Sequence, residues 1–121
     1  MTGIELLEKY DKAAIVIKQF YLNVMLESLK DDSLPENFKQ FAREAGIDND
    51  KIAAFIDAQP RGLFDVFDNN KIYVGITPNL LIGGMNFKYT ISDDISGEAP
   101  TRIEAEKIAV EKAFEILNNK L

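Results

Sequence analysis

Carboxylates are the side chains best able to do chemistry in this 121-residue chain, because it contains no histidine and no cysteine. That composition removes Ser-His and Cys-His nucleophiles, thiolate chemistry, zinc fingers and disulfides. The densest acidic groups are Asp48 with Asp50, Asp65 with Asp68, and Asp93-Asp94 with Glu98. None has the glycine at the sixth and the glutamate at the twelfth position that a calcium loop requires. Solvated turns and helix caps account for them better. Paired carboxylates can run acid–base hydrolysis, but no spacing here brings two into one cleft. Ile82-Gly83-Gly84-Met85 is the Gly-rich element. It lacks the Lys-Ser/Thr of a P-loop and precedes a strand-like run, so a bend or bulge is expected rather than a phosphate cradle. No catalytic residue, metal ligand or cofactor is predicted, and the chain is not expected to be an enzyme.

The elements that would position any site come in a telling order: helices first, then three strands, then one capped helix. Thr2-Gly3-Ile4-Glu5 reads as a capping box. The helix it opens is predicted to run to about residue 30, with Leu7, Tyr10, Ala14, Ile17, Tyr21 and Met25 on one face. Ser33-Leu34-Pro35-Glu36 reads as a second box, opening a short helix that buries Phe38, Phe41, Ala42 and Ala45 and stops at Gly46. A third helix over residues 49–58 presents Ile52, Phe55 and Ile56.

Residues 63–67 and 71–77 are rich in β-branched and aromatic types and are predicted to form a hairpin around Asp68-Asn69-Asn70. Residues 85–92 alternate cleanly, with Met85, Phe87, Tyr89 and Ile91 on the core side. Residues 78–84 read as a connection and residues 93–100 as an acidic loop. Thr101-x-x-Glu104 opens the last helix, whose stripe is Ile103, Val110, Phe114, Leu117 and Leu121. The expected fold is a single α+β domain, a helical part (1–60) followed by a β-β-β-α part (61–121). In it the C-terminal helix packs on a three-stranded antiparallel meander.

With 46% hydrophobic and 28% charged residues, the composition is that of a soluble globular protein. The net charge of -6 is spread evenly, 8 basic against 11 acidic groups in residues 1–61 and 6 against 9 in residues 62–121. Such a surface disfavours phosphate backbones and anionic lipid. No apolar run approaches the roughly 20 residues of a membrane span. A cytoplasmic location is expected, since nothing reads as a signal peptide and the lack of cysteine fits a reducing compartment.

Thr101-Arg102-Ile103-Glu104-Ala105, with Ala109, Val110, Ala113, Phe114 and Leu117, resembles the second helix of double-stranded-RNA-binding domains. The order of short helix, three strands and helix over residues 48–121 resembles that fold too. The family grips phosphates with a basic cluster at this helix start. Arg102 matches the first basic position, while Ile103 and Glu106 stand where lysines would be, so the resemblance implies Arg102 as the candidate nucleic-acid contact and little affinity beyond it. The whole chain also resembles small bacteriophage and prophage proteins that end in a strand and a Thr-Arg-x-Glu-Ala helix.

The function expected from these readings is a protein-interaction or assembly module, with a nucleic-acid-binding module as the alternative. Leu80, Leu81 and Ile82 either plug the core, the preferred reading, or form a patch that binds a protein partner. A homodimer through the N-terminal helix is predicted, because between Ala13 and Leu26 that helix carries Lys18 as its single charge.

Overall fold

The computed structural model describes residues 1–46, 48–81 and 84–121, and the side chains of Ala45 and Leu81 fall outside that description. The chain opens with the predicted capping box. Thr2 Oγ1 accepts from the Glu5 N–H and the Glu5 carboxylate accepts in return from Thr2, starting α1 (Gly3–Lys9). The expected long helix is broken at Tyr10, which leaves helical geometry at φ -112°, ψ 70° before α2 (Asp11–Ser28) begins. The break is held from outside. Asn118 Oδ1 accepts from the N–H groups of Lys12 and Ala13 at 3.0 and 3.1 Å, so a residue 105 positions downstream caps α2. Tyr10 itself is buried, its ring 6.3 Å from that of Phe114.

Two further helices follow. The second predicted box does not form: Pro35 occupies the cap position of α3 (Glu36–Ala45), and Ser33 instead donates its N–H to Asp31 at 2.9 Å. Asp48 caps α4 (Asn49–Ala58) through the Lys51 N–H. A Cβ at Gly3 would stand 2.6 Å from the Ala53 carbonyl oxygen, so only glycine lets α1 pack this closely on α4.

Residues 63–67 are helical rather than extended. Pro60 starts a 3-10 turn (Pro60–Leu63) that continues into α5 (Phe64–Asn69). Leu63, Val66 and Phe67 bury themselves at helical spacing, which a short apolar run permits as readily as a strand. The Asp68-Asn69-Asn70 segment therefore ends a helix, where Lys120 Nζ donates to the Asn70 carbonyl at 2.7 Å.

A three-stranded antiparallel meander forms as expected, order β1-β2-β3, but the strand predicted over residues 63–67 is lost and a strand within the expected acidic loop takes its place in the count. β1 is Val74–Leu81, β2 is Gly84–Ile91 and β3 is Ile95–Ala99. Pro78, expected in a connection, lies within β1 opposite Phe87. An edge strand tolerates it, because one side of its backbone has no ladder to donate to. The expected acidic loop shortens to a turn before β3, which pairs Tyr89 with Gly97 and Lys88 with Glu98. A Cβ at Gly97 would overlap the Tyr89 phenol, so this glycine makes room for the ring crossing it.

Helix α6 (Arg102–Lys120) lies on the sheet as predicted, with Thr101 accepting from the Glu104 N–H. Ala105, Ala109 and Ala113 are buried, and these short side chains let the backbone approach closely. Val110, Phe114 and Leu117 fill the core, with Ile17, Ile52, Phe67, Tyr89 and Ile91 in the same cluster. The predicted stripe is shorter than expected, because Ile103 and Leu121 at its ends are exposed. Met85 is likewise exposed at the far end of β2, beyond the helix. The architecture is α+β, and among the described residues no helix is long and apolar enough to cross a membrane.

Candidate functional site

Helix α2 outlasts the core that covers it. Tyr10 just before it and Ile17 within it are buried, while Val24, one heptad further along the same face, is exposed. Beyond that point the wall of α2 is left facing α4 across an apolar groove of about 560 Å³. Tyr21, Val24 and Met25 line one side, and Phe55 and Lys51 line the other. The Tyr21 and Phe55 rings stack 5.6 Å apart at the floor, yet Phe55 remains 50% exposed. Burial pushes the Tyr21 phenol above its ordinary 10.0. Volume and lining suit an apolar side-chain cluster or a small amphipathic ligand.

Helix α3 borders this groove through Gly46, which both ends the helix and lines the groove. Gly46 takes φ 66°, ψ -155°, a conformation close to glycine-only, so the turn from α3 into α4 depends on it. The expectation that α3 buries its aromatic face is overturned. Phe38 is 52% and Phe41 70% exposed, while Lys39 on another face of the helix is buried. A lysine stem can pack along apolar surface with its ammonium turned outward. Here the ammonium lies near Asp31, whose carboxyl is held below its ordinary range first by the Ser33 N–H and hydroxyl, then by Lys39. Lys39 is thus directed to this short connection, while Phe38 and Phe41 stand in solvent.

The Leu80-Leu81-Ile82 segment divides. Leu80 stands 84% exposed in β1 opposite Met85, which overturns the core-plug reading for that residue. The Leu81 side chain and Ile82 lie outside the described residues. Leu80 and Met85 lie two positions along their strands from the Pro78–Phe87 pair, and Arg102 at the start of α6 sits 5.5 Å over the Phe87 ring. Arg102 and Ile103 are exposed there. Glu106 is not part of any exposed cluster: it is buried and receives Arg61 at 3.0 Å. The position at which the RNA-binding pattern would need a lysine is therefore a structural ion pair.

Four of the candidate carboxylates have local roles. Asp48 is a helix cap, and Asp50 and Asp65 sit in first turns of helices, where a negative charge meets the positive end of the helix dipole. Glu98 accepts from the side-chain amides of Asn79 and Asn86, both at 3.0 Å, tying all three strands together on the outer face. Among the described residues no three His, Cys, Asp or Glu side chains converge on a cation position. Sequence reasoning missed the groove, although the signal was present in α2, whose core face is longer than the helices available to cover it. Comparison with known proteins finds no matching family model, no matching curated protein and no matching solved structure.

Proposed function

We propose that this chain is a non-enzymatic protein-interaction module that works in the cytoplasm and docks a partner on the α2–α4 groove and the adjoining face of α3. One observation carries the reading. Val24 and Phe55, side chains that a closed domain would bury, stand in solvent on the groove, and Phe38 and Phe41 do so on α3, whose end reaches the groove at Gly46. Contiguous apolar surface of this kind is the usual mark of a binding site. Its polar complement, the Tyr21 phenol, Lys51 and Gln59, is suited to orienting a bound segment rather than to transforming it. Capture from native lysate tests the proposal. The intact chain should retain a specific set of proteins that Val24→Asp and Phe41→Asp both lose. Identical capture by all three would overturn it.

A nucleic-acid module is the second reading, favoured by the exposed Arg102 at the start of a helix that lies on a three-stranded sheet. The net charge of -6 and the buried Glu106 weigh against it, because phosphate contacts dominate such binding. No retardation of duplex RNA is expected at moderate salt. A shift lost in Arg102→Glu would reverse the order.

A further inference from the structure

Resting on the interaction-module reading, we infer that the occupant of the groove is α3 of a second copy of this chain, in a two-fold dimer where each copy seats its Phe38–Phe41 face between the partner's α2 and α4. Both halves of the contact are present on one molecule. Phe38, Phe41 and Ala42 fall at positions i, i+3 and i+4, the spacing by which an amphipathic helix anchors in a groove. The groove offers Val24, Met25 and Phe55 to receive them.

Area favours a second copy over a one-way partner helix. At their exposures of 52% and 70%, Phe38 and Phe41 offer together on the order of 200–300 Å². The groove wall supplies less, so one seat buries about 400 Å², well short of the roughly 1,000 Å² a specific interface needs. Two symmetric seats come to about 800 Å², the scale of a weak, concentration-dependent association. A two-fold axis can form both at once because Gly46 makes helix and groove contiguous.

Charge points the same way. Lys51 is the charged residue of the groove lining, and Glu44 stands one turn beyond Phe41 on α3, hydrogen-bonded within its own helix to Gln40 at 2.9 Å. Seating α3 in the partner's groove brings Glu44 toward the partner's Lys51. The N-terminal helix thereby contributes the groove-facing side of its C-terminal half, the side of Tyr21, Val24 and Met25. Its opposite stripe of Ile15, Gln19, Leu22 and Leu26 plays no part.

Sedimentation velocity over a micromolar concentration series tests the arrangement on the full chain. The wild type should dimerise, and Phe41→Asp should weaken association by about 30-fold or more with its circular dichroism unchanged. Glu44→Lys and Lys51→Glu should each weaken the dimer, and the double exchange Glu44→Lys/Lys51→Glu should restore it. Three results would overturn the inference: a monomer throughout the series, a dimer indifferent to Phe41→Asp but lost in Ile15→Asp, or single charge variants that dissociate without rescue. A monomer that still loses its lysate partners in Val24→Asp would remove the dimer and leave the interaction module standing.

Discussion

Glu106 shows how one side chain separates a resemblance in pattern from one in chemistry. Its helix start fits an RNA-binding frame by spacing, but Glu106 is 5% exposed and its carboxylate is bonded to Arg61, so it holds α6 to the 3-10 turn before α5. Glu106→Lys would place a second cation beside Arg61 in a site built for an anion. A loss of roughly 3 kcal/mol is expected, tempered from the full cost of an uncompensated buried charge because Arg61 itself is largely exposed. Ile103→Lys should stay within about 0.5 kcal/mol, since its side chain already stands in solvent. Urea denaturation of both variants checks the contrast, and equal effects would contradict the assigned role of Glu106. The periodicity of this helix was legible in its sequence. The partner of Glu106 was not, because Arg61 approaches from a turn forty-five positions away.

At the scale of elements, strict alternation was enough to place β2. β2 alternates apolar and polar residues, and it forms with Tyr89 and Ile91 in the core and Lys88 in solvent. The readings that failed were settled by neighbours. β3 contains Ser96, Gly97 and Glu98, poor strand formers, and is extended because β2 supplies its ladder. The continuous periodicity from Leu7 to Met25 gave no sign of the break at Tyr10, because the group that caps α2 belongs to α6. Asn118→Ala tests this long-range cap. It should cost about 1 kcal/mol, as loss of an N-cap does, and should selectively speed hydrogen exchange at the Ala13 amide, while the Lys12 N–H keeps Asp11 Oδ1 as an acceptor at 2.9 Å. Protection unchanged at Ala13 would show that the break is held by Tyr10 packing instead.

At the scale of the molecule, the core is complete beneath α6, and part of the apolar surface left over lies where α2 runs past it, the rest at sites such as Ile15, Leu80, Met85 and Ile103. Ile17 belongs to that core, being fully buried, so it reports folding and not association. Tyr21 sits at the boundary between the two regions and can report on both. Burial raises its phenol above 10.0, so between that value and its folded value the native chain holds a proton that the unfolded chain has released. Stability therefore falls as pH climbs past about 10, because deprotonation favours the unfolded state. A partner's α3 over the groove would remove still more water from the same ring and move its ionisation further upward. The tyrosinate absorbance of the wild type, less that of Tyr21→Phe, should accordingly titrate at higher pH in concentrated than in dilute solution. In Phe41→Asp the two curves should coincide. Curves independent of concentration in the wild type would mean that Tyr21 meets the same surroundings in every copy, and that nothing from a second molecule reaches the groove.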